Sequence, residues 1–531
     1  MGTCGTKQDD KIQAIRNQLK KRMENSIFSR LFSINILNRY WGGIMSILIK
    51  NATIITMDDK VGTIQGSVLV DNGIIKEVIP HYPGSEPPIR AKETIDGSEM
   101  IVIPGMTNAH YHSYSNMLKG TTSHLPLEIW SLYTTAYGHS LDDDDIYNAV
   151  LLGVIEMIKS GVTSCIDHFP HVKRSEAALK AYEDSSIRVG FAPMMHDIPD
   201  HHFLPVELPI SLKRKLDDIS PVIVNEMKAL YESLLNNWHQ KNNKIKILLG
   251  PNAPQRCSKE MLALCKHLSE QEGAFIHTHL LETRIQKDIA DVKFPGGIIG
   301  RLQEQQLLSR KLSAAHSIWL EVDEVDILAK HGVSLIHNPV SNMMLGSGRA
   351  DISSYLQAGI NLALGTDSSN CGITHNLFEA MRFAVMHSRH EQSNFKEWLK
   401  PIDVFKMATI GGAYLLGEEK QRGKIKQGYE ADIVLLTRKS PTFAVDADII
   451  SQIVYYESGT SIESVMIRGE WVLKNRKIIS FDEKAILQSV KDKYESLIEK
   501  SQSSLQLAEE CEPHFSKMYY KFHHNLEEGN V

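Results

Sequence analysis

The chain is 531 residues long with 42% apolar and 23% charged residues, the make-up of a folded globular protein and not of a disordered one. A formal net charge of −6 offers no broad basic field for a nucleic-acid backbone, and no run reaches the roughly 18 apolar residues of a membrane-spanning helix. Small-molecule chemistry is the class left standing, in one large domain with at least one smaller module.

Residues 1–44 are mixed basic and apolar and are left as an unassigned N-terminal extension. Its first residues, MGTCGT, formally fit an N-myristoylation pattern, but a pattern this loose arises often by chance. From Met45, ILIKNATIITMD and GSVLVDNGIIKEVI read as short strands around a Gly-containing turn. Similar runs return in ADIVLLT (431–437) and SVMIRGEWVLKNRKII (464–479), so residues 45–100 and 418–480 are expected to pair into one small β-sandwich.

Between them, residues 101–417 alternate strand and helix. Eight candidate strands are MIVIPGMTNAH (100–110), VTSCIDH (162–168), IRVGFAP (187–193), IKILLGP (245–251), AFIHTHL (274–280), LSAAHS (312–317), VSLIHNP (333–339) and INLALGTDS (360–368). Ile146, Val150 and Val154 recur on one helical face in a separating segment, and the four aspartates at 142–145 read as the cap of that helix. Eight alternating units predict an α/β (β/α)8 barrel of the TIM type. Residues 481–531 are charged and helical in pattern, to pack on the barrel or on a neighbouring subunit. Six scattered cysteines without a C-x-x-C pair indicate a reducing, cytoplasmic setting, and the lack of a spanning apolar run leads to the expectation of no membrane partner.

In such barrels the chemistry sits at the C-terminal strand ends. There the chain places His110 and His112, His277 and His279, His316, His337 and Asp367. Residues two apart on a strand share a face, so either H-x-H pair can present two imidazoles to one metal ion. Spacing alone does not choose between the pairs. Long loops at that face form lids, which brings in His196 of MMHDIPDHHF (194–203), while Trp130 is placed either to stack on a planar ring or to pack a helix against the barrel.

PGMTNAHYH (104–112), GPNAPQRCS (250–258), HLLE (279–282), AAHS (314–317), HNPVSN (337–342) and GTDSS (365–369), followed by GGAYLLG (411–417) and GKIKQGYEADIVLL (423–436), resemble the amidohydrolase superfamily. The match is to its cytosine-deaminase-like branch, with adenosylhomocysteine deaminases and triazine chlorohydrolases. The resemblance, over about residues 46–480, implies that His110, His112, His279 and Asp367 hold the metal and that Glu282 is the acid/base. It implies too that His316 orients the nucleophile and that Asp367 takes its proton; His277, two residues before His279 on the same strand, is expected one layer deeper in the barrel.

The cofactor implied is one divalent metal per subunit, Zn2+ first, with Fe2+ or Mn2+ also suited. The reaction implied is hydrolytic deamination of an aminated heterocycle of purine, pyrimidine, pterin or triazine type by metal-bound hydroxide. Displacement of chloride or alkylamine, or opening of a cyclic amide, is the alternative, and an inactive barrel kept as a binding module is the alternative from another class. The partners implied are the small heterocyclic substrate and, as a homodimer or larger homo-oligomer, further copies of the chain. Asn252, Arg256 and His337 join Trp130 and His196 as substrate-binding candidates. Adenosylhomocysteine deaminases carry a histidine where Asn252 stands and a glutamate directly before a tryptophan, where this chain has Ile129 with Glu128 one position earlier. Both departures count against a nucleoside, and the Arg256 context points to more compact heterocycles.

Overall fold

The computed structural model describes residues 46–81, 91–219, 223–389 and 394–527, and the extension expected over residues 1–44 lies outside them. Period-two alternation of β-branched and other apolar residues builds the first sheet. Its strands are β1 (Ser46–Ile55), β2 (Thr63–Asp71), β3 (Ile74–Pro80), β4 (Glu93–Asp96) and β5 (Met100–Pro104). Four more come from the far end of the chain. The main order runs from those C-terminal strands through β5, β1 and β2 to β3, and β4 pairs with β1.

The expected strand over 100–110 is two strands. Pro104 has no amide proton to continue a ladder, and at Gly105 a Cβ would collide with Thr163. The chain therefore turns out of the first sheet and re-enters a different one as β6 (Met106–Tyr111). The alternation in β5 shows what the split achieves. Val102 packs with Ile47, Ile433 and Leu435 in the sheet's own core, while Ile101 and Ile103 face the opposite way into the large core shared with the barrel.

The barrel strands are β6, β7 (Val162–Phe169), β8 (Arg188–Met195), a fourth strand interrupted into β9 (Ile245–Ile247) and β10 (Gly250–Pro251), β11 (Ile276–Leu280), β12 (Leu312–His316), β13 (Ser334–His337) and β14 (Leu362–Leu364). The printed pairings within this set are parallel. Two arcs of strands close through the parallel bridges Leu249–Ile276 and Tyr111–Asp367. The base is filled by Ala109, Ile166, Ala192, Leu248, Ile336 and Ala363, sealed by Leu415 and Leu416, so the interior is a packed core and not a pore. The remaining first-sheet strands follow: β15 (Ile433–Thr437), β16 (Ile462–Ile467), β17 (Glu470–Lys474) and β18 (Lys477–Ile478).

The aspartate run at 142–145 caps a helix. The Asp142 side chain accepts from the Asp145 amide, Asp145 returns the bond, and the helix Asp143–Lys159 follows. Lys493 and Lys500 of the C-terminal helix Glu483–Glu527 pair with these carboxylates, and Leu497, Cys511 and Phe515 are buried on its inner face. The helix lies on the barrel. Among the described residues, no helix is long and apolar enough to cross a membrane.

Candidate active site

A one-residue register shift between Asn108 and Tyr111 marks the end of β6, a bulge of the kind that re-aims side chains. Tyr111 packs outward in the large core, while His110 and His112 turn inward. His279 joins them from β11, and Asp367 from the turn after β14. Asp367 and His316 hold φ values of 63° and 70°, in the left-handed region that residues other than glycine rarely adopt. Such strain gathers where function over-determines the backbone.

Hydrogen bonds fix the direction of each imidazole. The Ser313 hydroxyl donates to the Ile276 carbonyl, leaving its oxygen to accept from His277 Nδ1 at 3.0 Å. His277 Nε2 then accepts from His110 Nδ1 at 2.8 Å, so His110 Nε2 carries a bare lone pair. That atom is buried without a partner. His112 Nδ1 donates to the His168 carbonyl at 2.5 Å, and His279 Nδ1 to the Asn252 carbonyl at 2.7 Å. All three Nε2 lone pairs therefore face one point, with the Nε2 atoms of His112 and His279 only 3.3 Å apart and Asp367 Oδ1 lying 3.2 Å from His112 and 3.8 Å from His110.

Bare lone pairs and a carboxylate crowded together in a buried centre repel unless a cation lies among them. Three imidazole nitrogens and one carboxylate oxygen are a zinc-type donor set, and carbonyl or histidine partners behind each imidazole are what metal ligands need to stay oriented. The donor set fits a divalent metal. Burial pushes His110 and His279 well below the ordinary histidine range. At His112 burial acts the same way, but the bond and charge of Asp367 outweigh it and raise the value. Burial would raise Asp367, yet the His112 bond and the surrounding imidazoles hold it far below the usual carboxylate range.

Glu282 lies beside this centre with the opposite tendency. Burial, then the charges of Asp367 and Glu128, push its carboxyl well above the usual range, so it holds its proton. His316 stands between the two acids, with Nδ1 3.7 Å from Glu282 Oε1 and Nε2 3.7 Å from Asp367 Oδ2. Asn342 binds His316 at 2.9 Å, and burial keeps the ring neutral.

These groups floor a cavity of about 220 Å3 that Trp130, His196, Asn252 and Arg256 also line. Nine of the expected site residues thus share one cavity with His110 directly beneath. His337 does not: it lies outside this cavity, its ring stacked against His387 at 6.5 Å beside the helix Leu377–Ser388. Its predecessor Ile336 occupies the barrel interior, so alternation turns His337 outward. Asn338 reaches His316 in its place.

One residue of the site went unread in the sequence and another was set aside. His168, next to last in β7, lies two residues beyond the inward Ile166, and its ring lies 4.6 Å from His279, so inward parity on the second strand was the available signal. Glu128, passed over for its register against the tryptophan, is buried in the cavity wall and accepts from the Thr283 hydroxyl at 2.7 Å.

Closed barrel and convergent donors together define a metal-dependent barrel hydrolase. The family model described as "Amidohydrolase family" matches residues 101–472, and the chain belongs to that family. It is 30% identical over 461 residues to the 5'-deoxyadenosine deaminase of Methanosarcina barkeri, covering 85% of this chain and 98% of that protein. To the 5-methylthioadenosine/S-adenosylhomocysteine deaminase of Thermococcus sibiricus it is 32% identical over 431 residues, covering 81% and 94%. Among solved structures, the fold matches a zinc-bound adenosine deaminase from Xanthomonas campestris with a TM-score of 0.75, at 21% identity over 85% of this chain and 98% of that one. It also matches an atrazine chlorohydrolase from Arthrobacter aurescens complexed with zinc, with a TM-score of 0.76, at 22% identity over 84% and 100%. The chain is a metal-dependent hydrolytic deaminase, acting on carbon–nitrogen bonds other than peptide bonds.

Proposed function

We propose that this protein hydrolyses the 6-amino group of an adenine nucleoside altered at its 5′ position, releasing ammonia. The observation that carries the reading is the placement of two buried carboxyl groups on either side of His316, each 3.7 Å from one of its ring nitrogens, with burial pushing Glu282 up and the His112 bond and surrounding imidazoles holding Asp367 down against burial. Two carboxyl groups driven apart in this way take the acid and base roles of one reaction.

His110, His112, His279 and Asp367 would hold the metal, with zinc favoured by the donor set. When bound it supplies Lewis acidity that makes water a competent nucleophile near neutral pH. Asp367 accepts the proton that the attacking water loses. Glu282 gives its proton to the ring nitrogen beside the amino-bearing carbon, drawing off the charge that attack builds. His316, neutral and held by Asn342, orients the nucleophile and stabilises the developing charge. Return of the first water proton from Asp367 to the amino group lets ammonia leave with the electron pair of the broken C–N bond, the remaining hydroxyl proton passes back to Glu282 as the 6-oxo group forms, and the balance is one water consumed for one ammonia released. Lys246 of the fourth strand donates to the Leu416 carbonyl at the sealed base of the barrel, away from the donor centre, which supports one metal at that centre rather than two.

The nucleoside reading revises the expectation of a more compact heterocycle. Relatives of 30% and 32% identity are named for adenosine derivatives. Glu128 enters the cavity beside Trp130 despite its shifted position, a carboxyl group suited to sugar hydroxyls next to a ring suited to stacking.

Metal-loaded protein given 5'-deoxyadenosine and methylthioadenosine should release ammonia and leave the 6-oxo nucleoside. Glu282→Gln should lower kcat/KM by about 10²–10⁴-fold with metal content unchanged. Turnover that releases chloride or alkylamine from triazines, with no ammonia from any nucleoside, would overturn the reading.

A further inference from the structure

Away from the catalytic centre, a second group of metal-ligating side chains draws together among the described residues. His201 and His202 lie in the short helix Asp200–Phe203, and Asp217 is next to last in the helix Ile210–Asp218. His201 Nε2 is 2.7 Å and His202 Nε2 2.8 Å from the same atom, Asp217 Oδ1. The two ring centroids are 4.5 Å apart and the rings inclined at 74°, so the imidazoles reach that point from different directions, as ligands of one ion do. Two imidazole nitrogens and a carboxylate oxygen are the donor types of a zinc-class ion.

The turn that carries the histidines is held from behind. Lys293 donates to the carbonyls of His202 at 3.3 Å and Phe203 at 2.6 Å, and the Phe203 ring stacks on Phe294. The His201 side chain is 4% exposed, whereas those of His202 and Asp217 are 41% and 37% exposed. One donor is therefore anchored inside, while the other two leave an open side for an ion and its remaining water ligands. Asp200, Phe203 and Leu204 of the same turn line the catalytic cavity, and Lys215 ties the helix Ile210–Asp218 to Glu510 of the C-terminal helix at 2.6 Å. We propose that His201, His202 and Asp217 form a second divalent-metal site of the zinc class, which clasps the turn at the cavity lip to the helix behind it. With three donors open to water against four buried ones, it fills after the catalytic centre and takes no part in the chemistry. The site is independent of the substrate proposed above.

The test titrates protein already carrying one zinc per chain with further Zn2+ by calorimetry, beside His202→Gln and Asp217→Asn at the same zinc content. Wild type should take up one further ion with a Kd below about 100 µM. Each variant should bind that ion at least about tenfold more weakly and keep the first zinc, since both replaced side chains stand partly in solvent. At saturation, amide hydrogen exchange across residues 200–218 should slow in the wild type and not in the variants. No further ion in that range, or uptake of equal affinity in either variant, overturns the site. Uptake that the variants lose, without slower exchange in the wild type, overturns the clasp.

Discussion

At the scale of single residues, the relay from Ser313 through His277 to His110 decides which way a proton points. Ser313 Oγ accepts from His277 Nδ1, and His277 Nε2 accepts from His110 Nδ1, so the donor atom left facing the centre is His110 Nε2. His277→Ala removes the acceptor that fixes this tautomer. Metal affinity should fall about 10–100-fold in competition with a chelator, with His277→Gln intermediate and the fold retained. Unchanged affinity in both variants would assign His277 to packing alone. Which side chains gather at this centre was largely legible in the sequence, because residues at strand ends keep their order along the chain. The facing of His337, His168 and Glu128 was not, since it depends on the parity of each strand and the path of each loop.

At the scale of elements, the first sheet and the barrel are joined by a buried ion pair. Arg188, the first residue of β8, donates through Nε to Asp432 Oδ2 at 2.7 Å and through Nη2 to Glu430 Oε2 at 2.6 Å, and both Arg188 and Asp432 are about 5% exposed or less. Removing one partner leaves the other charged and buried. Arg188→Met should therefore cost about 3–5 kcal/mol in urea unfolding. Burial would raise Asp432, but Arg188 and Arg422 outweigh it and hold its carboxyl below the ordinary range. The pair's stabilisation is present above the unfolded carboxylate pKa of about 3.9 and is lost as pH falls through the lower folded value. The variant should lose this share of the acid dependence; an equal stability and acid profile would assign the joint to apolar packing. Alternation in the sequence revealed the strands on both sides of this joint but not the break at Pro104, because the apolar run MIVIPGM continues through the proline and reads, with TNAH after it, as one buried strand.

At the scale of the whole molecule, two cores with one shared boundary hold the catalytic mouth in place. The Leu415–Leu416 plug closes the barrel base, and the C-terminal helix braces the helix Leu127–His139 that carries Glu128 and Trp130, through the bond from Tyr133 to Glu512. Strand count and the return of β-rich runs near the C-terminus made this architecture legible in advance. The partner of the C-terminal helix was not, since an amphipathic face does not name what it covers. The most direct measurement is a titration of metal-stripped protein with Zn2+, following ammonia release from 5'-deoxyadenosine and bound metal together. Activity should be absent at the start, rise in proportion to bound zinc and level off at one equivalent per chain, with Asp367→Asn remaining inactive throughout. Full turnover by the stripped protein, or a plateau only at two equivalents, would contradict a single metal held by His110, His112, His279 and Asp367.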